Sequence, residues 1–150
     1  MSNTYIGLYI HNIFSTIQRL PLIVPEIQSR LWPYMGGIAK QNDMKALAVG
    51  GITDHVHILL SLPATISIAK AIQLIKGNSS KWVNDTFQMP NGFAWQKGYG
   101  AFSVNISIVP ETIRYIDNQA MHHQHKSFKE EYIEILVKNR IDYDERYIWD

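Results

Sequence analysis

Apolar and polar positions change period several times along this chain, and each change marks an element. Over residues 4–15, Thr4, Ile6, Leu8 and Ile10 alternate with Tyr5, Gly7, Tyr9 and His11 in a stretch rich in β-branched and aromatic residues, which predicts a strand. From 21 to about 40 the spacing of Ile23, Ile27, Leu31 and Met35 is helical, with Pro25 and Pro33 placing caps or kinks within it. Residues 44–52 and 55–62 read as a second and third strand, joined by the short link Thr53-Asp54 in a hairpin. Within 67–87, Ile68, Ile72, Ile75, Trp82 and Val83 form a helical stripe in which Gly77 predicts a local break. After the loop signal Met89-Pro90-Asn91-Gly92, alternation returns from Ala101, with Phe102, Val104, Ile106 and Ile108 on one face of a fourth strand. Pro110 then opens a helix over 111 to about 123, and 128–138 predicts another.

The order β-α-β-β-α-β followed by helices predicts an α+β protein with a ferredoxin-like (βαββαβ) antiparallel sheet, helices on it and additional C-terminal helices. No repeat or linker divides the chain, so residues 1–150 are expected to form one domain. This arrangement serves ligand binding, RNA binding and catalysis alike, and the side chains must decide among them.

Composition narrows the choice. A hydrophobic content of 46% in 150 residues is enough for a core, and the absence of cysteine excludes a disulfide framework, a zinc-thiolate site and a cysteine nucleophile. The first residues lack a signal-peptide pattern and no apolar run reaches membrane-spanning length, so a cytoplasmic protein without membrane association is expected. The net charge of +1 means that any polyanion site must be local. Lysines thicken through the middle at Lys70, Lys76, Lys81 and Lys97, while the end turns acidic at Asp142, Asp144, Glu145 and Asp150.

The third strand carries the first candidate chemistry. Alternation puts His55 and His57 side by side on one face, with Val56, Ile58, Leu60 and Leu62 on the other. Neutral imidazole is the commonest protein metal ligand, and two on one face offer adjacent coordination positions. An isolated His-X-His is ordinarily no more than two polar residues on the wetter face of a sheet. On the helix after Pro110, however, Tyr115 and Gln119 are four residues apart and share a face, presenting a nucleophile beside a neutral oxygen donor suited to Mg²⁺ or Mn²⁺. His122, three residues further on, is a second candidate ligand or proton carrier, though a helix-end histidine in the tract His122-His123-Gln124-His125 is the plainer explanation. Asp54 is expected to serve the turn, with its side chain directed away from His55.

His55-Val56-His57 followed downstream by Tyr115-Ile-Asp-Asn-Gln119 resembles the single-tyrosine HUH transposases of the IS200-like group. Within it, WQKGYGAFSVN, YIDNQAMHHQHKSF and IDYDERYIWD look most like the branch of REP-associated tyrosine transposases, and the resemblance runs from the first strand to Trp149. It implies that His55, His57 and Gln119 hold a divalent metal, Mg²⁺ or Mn²⁺, and that Tyr115 attacks a phosphate of single-stranded or hairpin DNA. The product it implies is a covalent 5′-phosphotyrosine and a free 3′-hydroxyl, a linkage that a 3′-hydroxyl can later reverse to rejoin strands. Related enzymes are often dimers, sometimes with a shared site, and the branch resembled here also works as monomers, so a homodimer stays open.

For DNA contact the candidates are Lys76, Ser79 and Lys81 in the stretch KGNSSKW, and Trp95 and Lys97 in WQKGY, which mix positive charge, hydroxyls and aromatic faces. Surface lysines on an amphipathic helix and a core tryptophan explain the same residues equally well. Two rivals remain at this point. A non-catalytic single-stranded nucleic-acid-binding module would need neither metal nor Tyr115, and a metal-dependent hydrolase would use water as nucleophile.

Overall fold

The computed structural model describes residues 3–149. Its strands are β1 (Tyr9–Ser15), β2 (Lys45–Gly51), β3 (His55–Ser61) and β4 (Gly100–Ser103). The helices are α1 (Pro25–Gln41), α2 (Ile68–Thr86), α3 (Val109–Asp117), α4 (Gln119–His122) and α5 (Phe128–Lys138). The sheet runs β2-β3-β1-β4 with every neighbouring pair antiparallel, so β3 lies between β1 and β2 and splits the first β-α-β unit, as the ferredoxin-like expectation requires.

Side-chain alternation divides the interior in two. Ile10 and Phe14 of β1 and Val56, Ile58 and Leu60 of β3 face α1 and α2, where Ile27, Leu31, Met35, Ile72, Ile75 and Val83 close the main core. On the opposite face Leu59 packs with Val109 and Ile116 of α3, and Ile13 and Phe102 pack with Phe128, Tyr132 and Leu136 of α5. The C-terminal helices therefore cover the sheet face that carries His55 and His57.

Several elements differ from the sequence expectation for definable reasons. β1 begins at Tyr9 instead of residue 4, because its partner β3 runs out: Tyr9 pairs with Ser61, the Leu62 amide still reaches the Leu8 carbonyl, and Pro63 follows. β4 ends at Ser103, since the Asn105 side chain accepts from the Ser107 amide and turns the chain into a single 3-10 turn, leaving Ile106 and Ile108 exposed. Gly77 does not break α2. Its cost of about 1 kcal/mol against alanine is outweighed by the buried stripe of Ala71, Ile72, Ile75 and Val83 and by the Ser67 cap. α1 likewise continues through Pro33, anchored by five buried residues from Ile27 to Ala39.

Two glycines at the end of β2 permit close backbone approaches, Gly50 to the second layer and Gly51 across its own hairpin. A methyl group at Gly50 would lie 2.5 Å from the Ile116 carbonyl oxygen, and one at Gly51 would lie 2.1 Å from that of His55. Only a bare backbone lets α3 sit this close to the hairpin. Gly50→Ala is expected to destabilise the fold by about 1–3 kcal/mol and to lower the melting temperature by several degrees in calorimetry. An unchanged melting temperature would show that α3 can move away without cost.

Candidate active site

β3 enters the site directly from the hairpin turn, and its first residue is His55. Asp54 is still in the turn, so strand alternation does not govern it, and its carboxylate pairs with His55 Nδ1 at 2.8 Å. This corrects the expectation that Asp54 points away. The pairing leaves His55 Nε2 directed inward, where it lies 3.0 Å from Gln119 Oε1 and 3.4 Å from Glu131 Oε1. His57, two residues on, has Nδ1 2.8 Å from His11 Nε2 and Nε2 3.1 Å from Glu131 Oε1. Both strand histidines are fully buried.

Tyr115 and Gln119 arrive on two helices, not one, because the chain breaks at Asn118 between α3 and α4. They nevertheless converge. The Tyr115 hydroxyl donates to Glu131 Oε2, and Gln119 Nε2 donates to the same oxygen at 3.2 Å. His123, four residues after Gln119, brings Nε2 to 2.9 Å from Gln119 Oε1 and 3.1 Å from Glu131 Oε1, while its Nδ1 pairs with the Lys126 carbonyl. His122 lies at the margin, with Nε2 3.4 Å from Glu131 Oε2 and no hydrogen-bond partner. A cleft of about 480 Å³ lined by His11, Ser103, Tyr115, His122 and Glu131 opens onto the tyrosine.

The hub of this network, Glu131, sits on α5 and was not singled out from the sequence. Its signal was present: Phe128, Glu131, Tyr132 and Leu136 form the buried stripe of the helix, so a carboxylate occupies an apolar position. His11 carried a comparable signal, as a polar residue on the β1 face that packs beside β3. His123 was overlooked in favour of His122, although a spacing of four places it over Gln119 more directly.

Electrostatics follow from burial and from this one carboxylate. Burial disfavours the charged form of His57 and brings its pKa down to about 4, against the opposing pull of Glu131. Burial and the neighbouring His57 bring His11 down to about 3. Burial also works against charge on His55, but hydrogen bonds to Asp54 and Glu131 outweigh it and raise its pKa. For Glu131 burial favours the neutral acid, yet hydrogen bonds from His123, His55 and His57 hold the carboxyl well below its usual range. Burial, then repulsion from Glu131, pushes the Tyr115 phenol well above its usual value.

These shifts carry a sign for stability. The folded-state pKa values of His57 and His11 lie below the unfolded value of 6.5, so the stability they confer is complete above about pH 6.5 and is lost as the pH falls toward 4. His55, shifted upward, acts in the opposite direction. The melting temperature of metal-free protein is expected to fall between pH 6.5 and 4, with a shallower slope in His11→Gln. Identical slopes in the two proteins would place the proton uptake elsewhere.

The DNA-contact candidates lie away from this centre, around α2. Lys76, Trp95 and Lys97 line one further cleft together with Tyr99. Within it the Lys76 ammonium bonds the carbonyls of Gln96, Lys97 and Gly98 at 2.8, 3.3 and 2.6 Å, and burial lowers its pKa to about 8. Ser79 is fully buried and accepts from the Trp95 indole at 2.9 Å, and Trp95 packs edge-on against Phe14 and Phe93. Lys81 stands apart on the exposed side of α2, paired with Asp85. Lys97 is exposed at the cleft edge.

The buried His-X-His pair with a tyrosine brought against it is the pairing on which the sequence resemblance to single-tyrosine transposases rests, and comparison with known proteins shows the family. The chain is a member of the IS200-like transposase family, whose model matches residues 4–119. Among curated proteins it is similar to the ISDra2 transposase TnpA of Deinococcus radiodurans, 25% identical over 114 residues that cover 73% of this chain and 81% of that protein. Among solved structures it is similar to a crystal structure of a Deinococcus radiodurans R1 protein described as a transposase, with a TM-score of 0.64, 26% identity and coverage of 79% and 96% of the two chains. It shares its fold with a REP-associated tyrosine transposase solved bound to a REP hairpin, with a TM-score of 0.57, 16% identity and coverage of 82% and 73%. Among the described residues no helix is long and apolar enough to cross a membrane.

Proposed function

We propose that this transposase, acting as a single HUH-type unit over residues 1–150, cuts and rejoins single-stranded DNA through a covalent 5′-phosphotyrosine on Tyr115. The observation that carries the reading is the convergence of Tyr115, His55, His57 and Gln119, from three separate elements, on one buried carboxylate beside an open cleft. A purely structural cluster has no need of a half-buried phenol facing a cleft.

A divalent metal, Mg²⁺ or Mn²⁺, fits the donors present. His55 Nε2, His57 Nε2 and Gln119 Oε1 are turned inward, and Asp54 and His11 hold the far nitrogens of the two rings. Such an ion supplies Lewis acidity toward a phosphate oxygen. The chain's own residues do the rest. Tyr115 presents its oxygen at the cleft wall, and Glu131 fixes the hydroxyl's direction. The phenol, raised in pKa by its burial and by Glu131, is held protonated in the resting site.

DNA with a hairpin is the substrate proposed, a choice supported by the REP hairpin held by the structural relative and by the exposed Lys97 at the edge of the second cleft, whereas Lys76, Ser79 and Trp95 are engaged in holding that cleft together. Lys97→Ala is expected to weaken hairpin binding and to reduce the slope of log affinity against log salt by about one. An unchanged slope in fluorescence titration removes Lys97 from the interface.

The direct test is incubation of end-labelled single-stranded hairpins with Mg²⁺ or Mn²⁺, scored for denaturant-resistant protein-DNA adducts. Metal-dependent adducts support the tyrosine mechanism. Adduct-free cutting points to a hydrolase, and binding without cutting to a nucleic-acid-binding module.

A further inference from the structure

We propose that Glu131 and His123 are ligands of the divalent cation in this chain, joining His55 and His57, so that the segment after α4 and helix α5 complete the metal centre. The inference rests on the metal-dependent reading above and extends it to residues beyond the span 4–119 that the family model matches.

One atom from each of these four residues lies within 4.8 Å of all the others. Nε2 of His55, His57 and His123 stand 3.4, 3.1 and 3.1 Å from the same Glu131 oxygen. The far sides of the rings argue more strongly. Nδ1 of His55 is held by the Asp54 carboxylate, Nδ1 of His57 by His11 and Nδ1 of His123 by the Lys126 carbonyl. Each imidazole thus has its outer nitrogen held by a partner and its inner nitrogen turned toward one point, the arrangement that fixes the tautomer of metal-ligating histidines. A set made only to neutralise Glu131 would need a single cation, and Lys or Arg would do.

Glu131 is 1% exposed on the apolar stripe of α5, where an uncompensated carboxylate is costly. Gln119 Oε1 reaches the same point through His55 and His123, and remains a neutral oxygen donor alongside the carboxylate. Three imidazoles and a carboxylate make a donor set of different character from two imidazoles and an amide. It carries a negative charge and is rich in nitrogen, which favours Mn²⁺, Co²⁺ or Zn²⁺ over Mg²⁺.

The test is equilibrium binding of Mn²⁺ to the full-length, DNA-free protein, followed by electron paramagnetic resonance, for wild type, Glu131→Gln, His123→Ala and the charge control Glu134→Gln. Mn²⁺ is expected to bind at least about 100-fold more tightly than Mg²⁺. Glu131→Gln is expected to weaken Mn²⁺ by at least about 100-fold, beyond the effect of an outer partner, His123→Ala by about 10-fold or more, and Glu134→Gln not at all. A folded Glu131→Gln whose Mn²⁺ affinity stays within about threefold of wild type overturns the proposal. If Glu131→Gln fails to fold, amide exchange of the wild type decides: Mn²⁺ must slow exchange in α5, and protection confined to β3 and the Tyr115–Gln119 stretch overturns the proposal. Adduct assays are scored separately. Tight binding that depends on Glu131 in a protein that never forms adducts leaves this centre standing and removes the cleavage reading, while adducts without Glu131-dependent binding do the reverse.

Discussion

Tyr115→Phe is expected to abolish covalent protein-DNA adducts and to reduce strand cleavage by at least about 10⁴-fold, the scale on which removal of a nucleophile acts. The substitution is close to isosteric. The ring keeps its edge contacts with His57 and His122, at centroid distances of 5.7 and 5.2 Å, and Glu131 loses one of its several hydrogen-bond donors. A small rise or fall in melting temperature is therefore compatible with the reading, whereas surviving adducts are not. The measurement is a denaturing gel of labelled hairpin after incubation with metal, read for the shifted band and for free product. Adducts in the phenylalanine variant would assign the nucleophile to another side chain, since phenylalanine has no oxygen to offer.

His57→Ala is expected to combine two losses. The ring is fully buried and both its nitrogens are engaged, so its removal strips a partner from His11 and another from Glu131 in the interior. That costs about 2–4 kcal/mol of stability, seen as a lower denaturation midpoint. Cleavage by the protein that remains folded is expected to fall by about 10³-fold or more through loss of a metal donor. The two effects separate experimentally, because activity is scored per folded molecule at a temperature well below the transition. A variant that is unstable yet cuts normally when folded would make His57 a structural residue and leave the metal reading without its central support.

The architecture was legible in the sequence because it rests on local periodicity. Alternation in β1 and β3 and the stripe in α2 predict the split β-α-β order that the sheet shows. Boundaries failed where a non-local partner decides them: residues 4–8 alternate as well as any strand, but β3 offers no backbone beyond Leu62 to pair with. The candidate site divides in the same way. His55, His57, Tyr115 and Gln119 stand out by short spacings and are brought together as expected. Asp54 was misjudged because the strand rule was extended one residue into a turn. Glu131 was missed because its meaning depends on where α5 docks, and only the apolar stripe around it hints that a charge there needs partners. Trp95 and Ser79 satisfy each other in the interior, a pairing 16 residues apart that composition alone does not reveal.

The alternation within β3 has a consequence for how this protein tolerates change. Six of its seven residues belong to two separate neighbourhoods, Val56, Ile58 and Leu60 in the core under α1 and α2, and His55, His57 and Leu59 against α3, α4 and α5. Exchanges among aliphatic side chains at 56, 58 and 60 are a matter of volume, to be compensated by Leu31, Ile72 or Ile75 across the layer. No such compensation exists for the histidines, whose neighbours are fixed by direction as well as size. The main core is thus a region where sequence can drift, or be redesigned for robustness, without touching the tyrosine or its surroundings.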